Sequence, residues 1–80
     1  MKVTVLVRPK AGILDPQGAA IDRSLVSLGY ATRGVRAGKV FDLEIDVVDR
    51  EEAARIASEV AERVLTNPLI EAYEVAVDGR

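Results

Sequence analysis

Apolar and polar residues alternate along three stretches of the chain, residues 2–8, 41–47 and 70–77. Such alternation is typical of β-strands that bury one face and leave the other face open. A short strand is also predicted at residues 35–37, before Gly38-Lys39, a pair that suits a two-residue hairpin turn with glycine at its first central position. The pattern therefore predicts four strands.

The first helix is predicted between the first two strands by signals at both of its ends. Asp15 can accept hydrogen bonds from the free N–H groups of the first turn, and Pro16 suits the first helical position. Gly29 suits the left-handed residue that follows a helix. An apolar stripe at helical spacing lies between these ends and consists of Ile21, Leu25 and Leu28.

The second helix is predicted to begin after Asp49, because Glu52 stands where a capping box requires an acidic residue. It ends before Asn67-Pro68, since the residue before proline avoids helical angles. Its apolar face is wide and consists of Ala53, Ile56, Ala57, Val60, Ala61, Val64 and Leu65.

The order of these elements is β-α-β-β-α-β, the ferredoxin-like order. Right-handed connections in this order place both helices on one face of a four-stranded antiparallel sheet. We therefore expect residues 1–80 to form a single α+β domain, a two-layer sandwich. The other face of the sheet stays uncovered and carries Leu6, Val40, Ala72 and Ala76. A chain this small gains stability by burying such a face, which predicts a homodimer or tetramer.

Composition removes several classes of chemistry. The chain has 80 residues, a formal net charge of −2 and neither cysteine nor histidine. Thiolate nucleophiles, imidazole acid–base catalysis and zinc-finger sites are therefore excluded. The net negative charge does not favour nucleic acid as a partner. The absence of a signal-peptide pattern and of a long apolar run predicts a cytoplasmic protein with no membrane partner.

Two sets of charged residues, one acidic and one basic, can each be interpreted in two ways. Asp42, Glu44 and Asp46 alternate on one strand, and we interpret them as a solvated or partner-facing surface rather than as a metal site. Basic residues surround the first helix, where a phosphate site is conceivable but ordinary surface charge or interface ion pairs are favoured. They are Arg8, Lys10, Arg33, Arg36 and Lys39.

Three motifs together cover most of the chain. They are Leu14-Asp15-Pro16-Gln17-Gly18 with Leu28-Gly29-Tyr30, then Val35-Arg36-Ala37-Gly38-Lys39 with the strand that follows, and Leu65-Thr66-Asn67-Pro68-Leu69-Ile70-Glu71-Ala72-Tyr73. In this order and spacing the sequence resembles the PurS family, the small subunit of phosphoribosylformylglycinamidine synthase.

The resemblance implies a role in an ATP-dependent C–N ligase of purine biosynthesis that takes its amide nitrogen from glutamine. In that complex a glutaminase subunit releases ammonia, and a large synthetase subunit uses ATP and Mg. The small subunit is associated with assembling the other two and with ammonia transfer, and it holds no cofactor and no catalytic residue.

The candidate interface residues follow from the motif positions. They are Leu14, Asp15, Pro16, Gln17, Gly18, Arg36, Gly38, Lys39, Asn67 and Pro68. Asp15 and Pro16 are explained as a helix start, whereas Leu14, Gln17 and Gly18 are not and suggest an exposed contact surface. The alternative is that Leu14 packs into the core and that Gly18 lets the first turn of the helix pack closely. The alternative function is a small-molecule-sensing regulatory domain of the amino-acid-binding type, which shares the same element order.

Overall fold

The fold consists of one antiparallel sheet and two helices in the computed structural model, which describes residues 1–78. In chain order the elements are β1 (Lys2–Pro9), α1 (Pro16–Ser27), β2 (Lys39–Glu44), α2 (Arg50–Val60), a π-helical turn (Ala61–Leu65) and β3 (Glu71–Val77). The α+β class and both helix starts are therefore confirmed. Asp15 and Asp49 cap the helices, each accepting a hydrogen bond from the backbone N–H three residues later.

The sheet has three strands within residues 1–78, in the order β2-β1-β3. Val5, at the centre of β1, lies opposite Phe41 on one side and Val75 on the other. The predicted fourth strand at residues 35–37 is not formed, so the expected four-stranded sheet is wrong for this part of the chain. The backbone N–H of Ala37 donates instead to the Asp15 carboxylate at 2.8 Å, and this leaves it unable to join a ladder.

The hydrophobic core lies between β1 and the alanine face of α2. Val3, Val5 and Val7 are almost completely buried, and so are the small residues of the facing helix, Ala53, Ala57 and Ala61. Alanines four residues apart form one face of a helix. Their small size allows the helix backbone to come close to the sheet.

The first helix does not lie where the element order predicts it. Within the described residues, α2 is the helix that packs on the sheet, against β1 and β3. The expectation of two helices covering one sheet face is therefore wrong for α1. The chain after α1 runs back beside it, and Thr32 Oγ1 donates to Asp22 Oδ1 at 3.0 Å. We call α1 together with this returning segment, residues 16–38, the arm.

The arm makes the molecule long. Its principal dimensions are 49 × 25 × 14 Å, with a radius of gyration of 15.5 Å. Neither of the helices described in residues 1–78 has the length and apolar character needed to cross a bilayer.

Candidate functional site

The start of α1 is fixed by one carboxylate that holds two segments together. Asp15 Oδ1 accepts a hydrogen bond from the backbone N–H of Gly18 at 3.0 Å, and Asp15 Oδ2 accepts one from Ala37 at 2.8 Å. The Gly18 and Ala37 hydrogen bonds are the main reasons that the pKa of Asp15 is lowered, and the charge of Arg36 adds a smaller effect. Asp15 therefore ties the base of the arm together.

Gly18 is buried against the returning segment. A Cβ atom at this position would lie 2.3 Å from the carbonyl oxygen of Val35 and 2.5 Å from Asp15 Oδ2. The expectation that Gly18 belongs to an exposed contact surface is therefore wrong, and the alternative of close packing at the first turn is confirmed for Gly18. A glycine in the first turn of a helix is a signal of close backbone approach, and here the approaching backbone is that of Val35.

The returning segment ends in a second close contact, at Gly38. A Cβ atom on Gly38 would lie 2.4 Å from the carbonyl oxygen of Val7. The predicted hairpin turn at Gly38-Lys39 is wrong, because Lys39 is already the first residue of β2. Gly38 instead lets the chain enter the sheet directly beside β1.

The motif residues meet around a surface groove of about 210 Å³, which we call the motif groove. It is lined by Pro9, Asp15, Pro16, Gln17, Ala37, Gly38, Lys39 and Glu71. All three motifs contribute to this lining, although they are far apart in the sequence. Gln17 and Lys39 are exposed there, so an amide and an ammonium group are open to a partner.

The third motif reaches the groove through Glu71. Glu71 Oε1 accepts the backbone N–H of Asn67 at 2.7 Å, and the backbone N–H of Glu71 donates to the Asn67 carbonyl at 2.8 Å. The structure thus places Asn67 and Pro68 in an exposed turn beside the groove rather than in its lining. The backbone N–H of Lys10 donates to the Ile70 carbonyl at 2.8 Å, which holds this turn against the loop after β1.

The two remaining predicted residues lie outside the groove lining. Leu14 is 83% exposed in the loop that leads into α1. The Arg36 guanidinium donates to the carbonyl oxygen of Pro9 and lines a second depression of about 310 Å³, together with Arg8 and Lys10. Of the basic residues expected around the first helix, Arg8, Lys10 and Arg36 therefore line the same depression.

Sequence reasoning missed Pro9, Ala37 and Glu71 as groove residues. Glu71 and Ala37 both stand in the motifs, and the carboxylate of Glu71 was an available signal. Pro9 lies outside the motifs, and the side chain of Ala37 has no polar group. Among the described residues, no group of His, Cys, Asp and Glu side chains is arranged to hold a metal ion. The groove presents hydrogen-bonding and charged groups, among them the exposed side chains of Gln17 and Lys39.

Comparisons with known proteins match this chain to the same family over nearly its full length. A family model described as PurS, phosphoribosylformylglycinamidine (FGAM) synthase, matches residues 2–79. The phosphoribosylformylglycinamidine synthase subunit PurS of Mycobacterium leprae is 45% identical over 81 residues, covering 99% of this chain and 98% of that protein. The corresponding subunit of Bacillus subtilis is 38% identical over 78 residues, covering 96% and 92%.

Solved structures that include PurS proteins also match this chain over nearly its full length. A chain in the structure of PurLQS from Thermotoga maritima has a TM-score of 0.85 at 33% identity, with 94% of this chain and 93% of that chain covered. The crystal structure of Methanocaldococcus jannaschii PurS has a TM-score of 0.83 at 32% identity, with 94% and 92% covered. That protein is one of the subunits of formylglycinamide ribonucleotide amidotransferase in the purine biosynthetic pathway.

Proposed function

The chain belongs to the PurS family of phosphoribosylformylglycinamidine synthase subunits, and we propose that it joins the glutaminase and synthetase subunits of that ligase. It is a subunit of an enzyme of purine biosynthesis. The observation that carries the proposal is the motif groove, where residues from all three motifs meet on one exposed surface. The likeness to a chain of the Thermotoga maritima PurLQS structure supports a role within a multi-subunit assembly.

We assign the chemical steps to the partner subunits. Release of ammonia from glutamine commonly uses a cysteine nucleophile and a histidine base, and this chain has neither residue. ATP and Mg belong, in this proposal, to the large synthetase subunit. The small subunit then contributes binding and positioning.

Ammonia transfer gives such a subunit a physical purpose. Ammonia released into neutral water is mostly protonated, and the ammonium ion is not a nucleophile. A subunit that holds the glutaminase and the synthetase in register therefore keeps the route between them closed to solvent. The motif groove is the surface we assign to the contact with the large subunit, and we place the complex in the cytoplasm.

We also propose that the chain is a homo-oligomer in this complex, in keeping with the expectation of a dimer or tetramer. The comparisons give no support to the alternative of a small-molecule-sensing regulatory domain. The relatives and solved structures described above are PurS proteins.

Reconstitution of the complex tests the proposal. The glutaminase and synthetase subunits from the same source are assayed for glutamine-dependent synthesis with and without this chain, and we expect synthesis to need it. The chain alone is the control, and we expect neither glutamate release nor ATP hydrolysis from it. Full glutamine-dependent synthesis in its absence would contradict the proposal, as would turnover by the chain alone.

A further inference from the structure

A depression of about 310 Å³ beside the motif groove gathers three positively charged side chains. Arg8 lies near the end of β1, Lys10 lies in the loop that follows, and Arg36 lies in the returning segment of the arm. The sequence is consistent with a phosphate site at these residues but favours ordinary surface charge or interface ion pairs. The structure adds that the three side chains line one concave surface.

Arg36 is held in place at this surface. Its guanidinium donates a hydrogen bond to the carbonyl oxygen of Pro9, the residue between Arg8 and Lys10. A guanidinium has five N–H donors in a fixed plane, so this bond positions the group and leaves other donors for a ligand. The three positive side chains are therefore centred on Pro9.

Small residues give the depression its space. Arg8 lies opposite Ala72 in the antiparallel pair of β1 and β3, and the next pair on the same face is Leu6 with Glu74. The methyl group of Ala72 leaves room beside the longer Arg8 side chain. A Cβ atom on Gly38 would lie 3.2 Å from Arg8 Cγ, so the missing side chain there also gives the stem of Arg8 room.

The positive charge of the depression is not neutralised by neighbouring carboxylates. Within residues 1–78, Arg50 and Arg55 form salt bridges, whereas Arg8, Lys10 and Arg36 form none. The described lining has these three positive side chains and one negative side chain, that of Glu74, in a chain whose formal net charge is −2. Like charges held close together favour an anion between them.

We propose that this depression binds the phosphate group of a small phosphorylated molecule, a phosphate monoester. Such a group carries nearly two negative charges at pH 7 and three strong acceptor oxygens. Arg8 and Arg36 donate to these oxygens, for which the planar guanidinium is well suited, and Lys10 adds positive charge. The volume is at the lower end of the range for small-molecule pockets. Leu6 and Ala72 offer apolar contact to the uncharged part of the ligand.

This inference goes beyond the proposed function and does not rest on it. Among the described residues, the depression and the motif groove share Pro9 and no other lining residue. Binding of a phosphate monoester is measured on the chain without its partner subunits, whereas docking is measured by assembly. Failure of one therefore leaves the other standing.

An NMR titration of the full-length chain tests the proposal, with inorganic phosphate, ribose 5-phosphate and ribose as the ligands. We expect saturable shifts of the Ala11 and Ala72 amide signals with both phosphate compounds and none with ribose. Arg8→Gln and Arg36→Gln should each weaken binding about tenfold or more, because each removes a charge-assisted hydrogen bond. The matched control is Arg33→Gln, which removes the same charge at an exposed position outside the described lining and should bind as the wild type does.

The phosphate compounds also separate two sources of the anion. Tighter binding of ribose 5-phosphate than of inorganic phosphate would assign the site to a phosphorylated sugar, and equal binding would assign it to the phosphate group alone. Arg36→Lys should have intermediate affinity, because lysine keeps the charge and lacks the planar donors.

Four results would overturn the proposal. They are the absence of saturable shifts with both phosphate compounds in the millimolar range, equal binding of ribose, wild-type affinity in Arg8→Gln and Arg36→Gln, and an equal loss of affinity in Arg33→Gln. The last result would mean that the anion follows the overall charge and has no defined site. If Arg36→Gln disturbs the amide spectrum elsewhere, Arg8→Gln decides the outcome, since the Arg8 guanidinium has no hydrogen-bond partner among the described residues.

Discussion

Asp15 and Ala37 are joined by a hydrogen bond of 2.8 Å from the backbone N–H of Ala37 to the Asp15 carboxylate, across 22 residues of sequence. The same carboxylate caps α1 through Gly18. One side chain thus starts the helix and closes the arm at its base. The backbone donor of Ala37 is engaged by this contact and is not available for a strand at residues 35–37.

The charge of Asp15 should make the arm sensitive to acid. Hydrogen bonding lowers the pKa of Asp15 in the folded chain below its ordinary value of 3.8. Its contribution to stability is therefore present above that value and is lost as the pH falls through the lowered pKa. We expect Asp15→Asn to weaken the arm at neutral pH, because its amide nitrogen cannot accept from Ala37, and to remove this part of the acid response.

Hydrogen exchange of the Ala37 amide, followed from neutral pH down to a pH of about 2, checks this expectation. The exposed carboxylate of Asp46 supplies the control Asp46→Asn, which should behave as the wild type does. Equal loss of Ala37 protection with acid in the wild type and in Asp15→Asn would show that the carboxylate does not hold the arm.

Gly18→Ala should destabilise the chain although it replaces glycine within a helix. In an open helix this change stabilises by up to about 1 kcal/mol. Here the added Cβ would lie 2.3 Å from the Val35 carbonyl oxygen, so the returning segment must move. We expect the free energy of unfolding to fall by about 1–3 kcal/mol.

Urea unfolding of Gly18→Ala measures the effect, with Gln17→Ala as the matched control at the neighbouring exposed position. A variant more stable than the wild type would mean that Gly18 and Val35 are not in contact in solution.

The alanine face of α2 should not tolerate a larger residue. Ala57 is fully buried between α2 and the sheet. Ala57→Leu should therefore lower the free energy of unfolding by about 1–3 kcal/mol through overpacking. Ala54→Leu, at a half-buried position of the same helix, should cost less. Thermal unfolding of both variants checks the order, and equal losses would contradict a close helix–sheet contact at Ala57.

Local signals predicted the parts of the fold that local interactions determine. Asp15 and Asp49 identified both helix starts, because a cap depends on residues three positions away. The position of α1 could not be predicted in this way. The apolar stripe that includes Leu28 predicts that the helix packs on some surface, but the sequence does not identify that surface.

The candidate site was predictable to a similar extent. Motif spacing identified Gln17 and Lys39, which do meet at the groove, but it could not separate them from Gly18. Residues that are exposed for contact and residues that serve packing occur in the same motif, as Gln17 and Gly18 do. Only the three-dimensional contact with Val35 shows that Gly18 serves packing. Docking variants should therefore be placed at the exposed positions and not at the glycine.

Gln17→Glu and Lys39→Glu test the motif groove as the docking surface for the large subunit. Both side chains are exposed, so each variant should change the free energy of unfolding by about 0.5 kcal/mol or less. A contact buried in the complex would be lost, because the new carboxylate has no partner there. We expect near-normal melting of the variants, impaired assembly with the synthetase subunit and reduced glutamine-dependent synthesis.

Activity driven by added ammonium separates docking from damage to the synthetase. With a high concentration of ammonium the synthetase needs no delivered ammonia, so this activity should survive the variants better than glutamine-dependent synthesis does. Asp46→Lys makes a comparable charge change at an exposed position outside the groove lining, and should leave both activities normal. If Gln17→Glu and Lys39→Glu assemble normally and lose no glutamine-dependent synthesis, the large subunit docks elsewhere, and the groove residues serve only to shape the base of the arm.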